Sequence, residues 1–241
     1  MKTRLLGTAL LALAAAGAAH AQDVVRLGTE GAYPPFNFIN DAGNVDGLDI
    51  DIGNEACTRA GLTCEWVTND WDSIIPNLVS GNYDAILAGM SITEERKEVI
   101  AFSIPYFPPD PSAYVAMSED VNVEGAVIAA QTSTIQAAHV ASSGATLVEF
   151  ATPEETIAAV RNGEVDAVLA DKGFLAPFVE EDADLVFVGE DVMLGSGIGI
   201  GLRQSDTALQ AKLDEALTAM KADGTMARII TTWFPDMDPN F

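Results

Sequence analysis

The sequence predicts an α/β chain built from two similar units that two extended crossings join. Three observations predict it. Strand-like and helix-like segments alternate along the chain. Four prolines, Pro105, Pro108, Pro109 and Pro111, break the alternation near its middle. The alternation then restarts with the same rhythm. With 241 residues, 49% of them hydrophobic, the chain has material for a real core and suits one large or two small domains.

The elements follow in order. Val24 to Gly28 reads as a first strand, and a Gly/Asn/Asp turn spans Asn40 to Asn44. Asp49 to Ala60 has helix period, Glu65 to Val67 is a second strand, Ser73 to Val79 a short helix, and Asp84 to Leu87 a third strand. Beyond the prolines, Ala126 to Ala130 is strand-like, and Ser133 is placed to cap a helix running to about Val140. Thr146 to Phe150 is a strand, Glu154 to Asn162 a helix and Asp166 to Ala170 a strand. Gly195 to Leu202 alternates Gly with Ser, Ile and Leu at strand period, and Asp206 to Ala222 is a long amphipathic helix that Asp223-Gly224 ends. The crossings are expected near Pro108 to Ser112 and near Met193 to Ser196. That makes the first unit 22–110 with 195–241, and the second 111–194.

The beginning of the chain reads as a leader. Lys2 and Arg4 precede an apolar run from Leu5 to Ala19, and Ala19-His20-Ala21 offers small residues for cleavage. The run is shorter than the ~20 residues a spanning helix needs. Residues 1–21 are therefore expected to be an export signal, and the mature protein to be periplasmic. Export makes the two cysteines interpretable: in an oxidising compartment Cys57 and Cys64 are expected to close a short disulfide loop.

Composition excludes several functions. Acidic residues outnumber basic ones by 36 to 12, for a net charge of −24. Such a surface repels phosphate, so no nucleic-acid partner is expected. There is no phosphate-cradling loop, and Ile200 and Leu202 stand where a dinucleotide turn would need a further Gly. A calcium loop with Gly47 in its sixth place would start at Ala42 and end at Gly53, neither of which coordinates. Asp49, Asp51 and Glu55 are instead expected to form a solvated helix face. One histidine, His139, remains after the leader, too little for triad chemistry. No metal, cofactor or catalytic residue is expected, which favours a binding protein.

A resemblance then covers the chain from Thr29 to Phe234. Gly47-Leu48-Asp49-Ile50-Asp51-Ile52-Gly53 through Ala60 resembles the signature of the periplasmic polar-amino-acid-binding proteins of ABC transporters (solute-binding family 3). So do Thr29 to Phe36, Trp71 to Pro76, Ala88 to Arg96, and Asp223-Gly224-Thr225 before Trp233-Phe234. Lysine/arginine/ornithine, histidine and opine binders are the similar members, and the first two share a disulfide like Cys57–Cys64. The resemblance implies two α/β lobes with two hinge strands and a ligand cleft between them. The partners it implies are a free amino acid and a membrane permease, with the receptor acting as a monomer.

It also implies the site. Closing a cleft on an amino acid removes a carboxylate and an ammonium from water, and each needs a partner. Arg96, in Ser91-Ile92-Thr93-Glu94-Glu95-Arg96, matches the carboxylate-binding Arg, whose planar fork suits two oxygens. The bland alternative is an ion pair with Glu94 or Glu95. Ser91 and Gly89 offer a hydroxyl and backbone groups, although the hydroxyls that members often carry at Ala88 and Gly89 are missing. Thr134 matches a carboxylate contact. Asp171 matches the ammonium partner, a role compatible with capping the helix it precedes. Tyr33 and Trp71 match an aromatic pair that sandwiches the ligand's stem. Glu30 stands where basic-amino-acid binders place an acid; it could equally face solvent or a backbone amide. The ligand is expected to be basic or long and polar. The runner-up from another class is an enzyme on the same fold, a dehydratase of prephenate or arogenate.

Overall fold

The computed structural model describes residues 24–239 and 241, so the expected leader lies outside the described residues. The chain begins with β1 (Val25–Thr29), the short strands β2 (Ala32–Tyr33), β3 (Asn37–Ile39) and β4 (Val45–Asp46), and helix α1 (Leu48–Arg59). β5 (Cys64–Thr68), α2 (Trp71–Val79), β6 (Ala85–Ile86), the four-residue α3 (Glu94–Lys97) and β7 (Ala101–Phe102) follow. The next stretch holds β8 (Ser112–Ala116), β9 (Val127–Gln131), α4 (Ile135–Ser142), β10 (Thr146–Phe150), α5 (Pro153–Arg161), β11 (Ala167–Asp171), α6 (Lys172–Glu181) and β12 (Val186–Val192). β13 (Gly201–Leu202), α7 (Thr207–Ala222) and α8 (Thr225–Trp233) close it.

Two five-stranded sheets repeat one plan. The first has the order β5-β1-β6-β13-β7, and the second β10-β9-β11-β8-β12. In each, a central strand pairs in parallel with both neighbours, and two antiparallel strands complete the far edge. Strand alternation gives each sheet a core on both faces. In β11, Val168 packs with Ile157, Val160 and Phe174, whereas Ala167 and Leu169 pack with Ile128 and Val140. In the first sheet Leu27 meets α1, α7 and α8 through Ile52, Leu217 and Ile230, and Ile86 meets α2 through Ile74 and Leu78.

Several expectations need correcting. Asp49 is not on a solvated face: its side chain is fully buried. Asp51 accepts a hydrogen bond from Trp233 Nε1, and Glu55 pairs with Arg59. Only Gly201 and Leu202 of the expected strand 195–202 join the sheet ladder, because Ile198 instead bridges Ser91 and Phe107 one pair at a time. Ser133 does not cap α4. It adopts φ +59, and Thr134 is the cap, accepting from Ala137 N at 3.1 Å. Cys57 and Cys64 are bonded, tying the end of α1 to the start of β5.

Candidate functional site

The carboxyl ends of the central strands converge from both sheets, the usual place for ligands in open α/β sheets. Glu30 directly follows β1, and Gly89 and Ser91 follow β6; Gln131 is the last residue of β9 and Asp171 the last of β11. Together with Tyr33, Trp71, Arg96, Thr134, Ile135 and Gln136 they line one cavity. All eight residues expected from the sequence therefore lie around one space. Gln131, Ile135 and Gln136 are additions that sequence reasoning missed.

The first unit's wall rests on a buried polar network. Asp49 enters from the first turn of α1 and accepts from Tyr106 Oη at 2.6 Å, Asn37 Nδ2 at 2.9 Å and Gly89 N at 2.7 Å. Burial pushes its carboxyl up to about 6, against the pull of those three donors. Gly89 has φ +59, which a side chain rarely tolerates, so glycine lets this amide turn back onto Asp49. The turn thus holds the loop that leads to Ser91 in place.

Arg96 sits on the one-turn α3, capped by Thr93. Its Nη1 donates to Ser91 O at 2.9 Å, and its guanidinium lies 5.3 Å from the Trp71 ring centre. Lys97, not Arg96, pairs with Glu94, and among the described residues no carboxylate lies within ion-pair distance of Arg96. Burial lowers its pKa to about 10, partly offset by the nearby charges of Asp171 and Glu95. The guanidinium is thus desolvated without an anion against it.

From the second unit, Asp171 is buried and accepts from Tyr33 Oη at 2.9 Å and Gln136 Nε2 at 2.8 Å. Burial drives its carboxyl upward, opposed by these bonds and by Arg96. It stands at the N-cap position of α6 yet makes no cap bond, so the expected dual role is not what the geometry holds. Thr134 Oγ1 donates to Gln131 O at 2.6 Å while it caps α4.

The aromatic pair also differs from expectation. Tyr33 stacks face to face on Phe174, 4.3 Å between centres and 7° between planes, while Trp71 offers its face to Arg96. Phe174 is a partner that no sequence pattern indicated. Glu30 is half-buried, and its Oε1 accepts not from a backbone amide but from Gln131 Nε2 at 2.6 Å. Burial raises Glu30 to about 7, despite that bond. Trp71 Nε1 also reaches Ser133 O at 3.3 Å and Asp171 N donates to Tyr33 Oη at 3.3 Å, so several hydrogen bonds and a ring stack join the two walls directly.

Comparisons with known proteins identify the family and the fold. Residues 25–236 match the bacterial extracellular solute-binding proteins, family 3. The lysine/arginine/ornithine-binding periplasmic protein of Escherichia coli K12 is 31% identical, with 97% of each chain covered. A crystal structure of a periplasmic His/Glu/Gln/Arg/opine family-binding protein from Silicibacter pomeroyi, in complex with lysine, is 65% identical. It superposes with a TM-score of 0.86 over 88% of this chain and 97% of that one. An ancestral amino acid-binding protein, precursor of a cyclohexadienyl dehydratase, is 29% identical with a TM-score of 0.78 over 88% and 95%.

Proposed function

The chain belongs to family 3 of the bacterial extracellular solute-binding proteins, and we propose that it is the periplasmic receptor of an amino-acid ABC importer. It closes on one free amino acid and passes it to the permease unchanged. The observation that carries this reading is the pairing of Arg96 and Asp171. Opposite charges from opposite units line one cavity, each desolvated, and among the described residues neither has an ion-pair partner. A zwitterion supplies both missing charges at once. Its carboxylate meets Arg96, Ser91 and Thr134, and its ammonium meets Asp171.

The distal end selects a basic or long polar side chain. Glu30 takes the head group, with Tyr33 and Trp71 beside the stem. The lysine complex of the 65%-identical relative supports that choice. Closure brings 22–110 with 195–241 against 111–194, about crossings near 108–112 and 193–196, and the closed surface is what the permease reads. A thermal-shift screen across the common amino acids tests the reading: a ligand at ~100 times its Kd adds about 2.7 kcal/mol. Arginine or lysine should give the largest shift. No shift with any amino acid would overturn the receptor reading, as would turnover of prephenate or arogenate.

A further inference from the structure

Helix α6 begins without a cap of its own. α4 and α5 are capped by their N-cap threonines, Thr134 and Thr152, but Asp171 at the same position of α6 turns its carboxylate into the cleft instead. The first amides of α6 are satisfied from elsewhere. Lys172 N donates to Pro111 O at 2.8 Å, and Gly173 N donates to Asp110 Oδ2 at 3.0 Å. Both acceptors belong to the proline-rich crossing between β7 and β8. A Cβ on Gly173 would fall 2.9 Å from that Asp110 oxygen, so glycine is what lets the carboxylate approach.

We propose that Asp110 is a positioning residue: it caps α6 from the crossing and so keeps the Asp171 carboxylate turned toward the ligand's ammonium. This rests on Asp171 being the ammonium partner. An aspartate at an N-cap is normally drawn to the amide two or three residues on. Here the Gly173 amide is already taken, which removes one of the two amides that would draw Asp171 back and leaves only that of Phe174. The arrangement sets a half-buried carboxylate near a buried one, and desolvation plus the charge of Asp171 pushes Asp110 upward. A local conflict of this kind is expected where a site is being held for function.

Titration calorimetry with L-arginine and L-glutamine separates the possibilities in the full-length protein. Asp110→Ala should weaken both ligands about tenfold, the size of a lost cap. Asp110→Asn keeps an acceptor for Gly173 N and should stay within about twofold of wild type. In an Asp171→Asn background, Asp110→Ala should change affinity less than about twofold, because there is no carboxylate left to position. If Asp110→Asn binds as weakly as Asp110→Ala, the effect is one of charge and the proposal fails. It fails equally if the loss persists undiminished in the Asp171→Asn background. Should Asp171→Asn alone leave both affinities intact, the ammonium reading itself falls. Where Asp110→Ala does not fold, Asp110→Ser takes its place, with the same outcomes deciding.

Discussion

The two ends of the cavity are built on opposite principles. At one end Arg96 and Asp171 are desolvated groups of opposite charge that, among the described residues, have no ion-pair partner. At the other, Glu30 already has an internal partner, the amide of Gln131. The first end can be satisfied only by a molecule that brings both an anion and a cation. The second is satisfied before any ligand arrives, so a ligand's head group must compete with an amide there. The common part of every amino acid is thus read by unmet charge, and the variable part by exchange of one partner for another. Such an exchange discriminates more gently, since a hydrogen bond to a charged group contributes about 1.5–3 kcal/mol whereas breaking a buried ion pair costs about 3–5.

Removing Arg96 should break the comparison most severely. Arg96→Ala leaves the ligand carboxylate buried without its cation, at a cost of about 3–5 kcal/mol, or two to three orders of magnitude in Kd. The loss should be the same for arginine and for glutamine, because both present the same carboxylate. Calorimetry showing near-wild-type affinity for either would remove Arg96 from the site.

The charged end was legible in the sequence and much of the rest was not, for a physical reason. Arg96, Ser91 and Thr134 lie in short local motifs whose spacing survives in the chain itself. The internal supports join residues far apart: Asp49 meets Tyr106 57 positions on, and Gln131 meets Glu30 across 101. No period or motif couples such positions, so Asp49 reads as a solvated helix residue and Gln131 is not singled out. Asp171 lines the cavity but does not take the capping role the sequence also suggests, and Asp110, which accepts from the Gly173 amide, lies 63 residues away from it. The same limit applies to the fold. β9, β10 and β11 were found through their own hydrophobic runs, whereas β13 is two residues long and is a strand only because β6 and β7 flank it.

The second prediction sharpens the distal half of the comparison. Glu30→Gln keeps the shape but removes the charge, so arginine and lysine should weaken by about tenfold to a hundredfold, following the loss of a charged hydrogen bond. Glutamine should stay within about twofold, since it meets an amide as readily as a carboxylate. Equal weakening of both ligands would mean that Glu30 holds the fold or the closed state rather than a head group.

The smallest effect is one of pH, and its sign follows from Glu30. Burial holds that carboxyl at about 7, up from its ordinary 4.5, so the folded, ligand-free protein binds its proton more tightly than the unfolded chain does. The stability contributed by that proton is complete below pH 4.5 and is lost as pH rises through 7. A cationic head group reverses the preference, because it favours the ionised carboxylate. Arginine should therefore bind more tightly as pH rises from 6 to 8, by about tenfold, the share of Glu30 that must otherwise give up its proton. Asp171 and Asp49 are also raised by burial, and their titration would confuse a single binding curve. Both ligands meet those groups alike, so the ratio of arginine to glutamine affinity cancels them and leaves Glu30. That ratio should climb across the window in the wild type and be flat in Glu30→Gln. A flat ratio in the wild type would show that no titrating acid faces the head group, and the distal end would then be selecting by length alone.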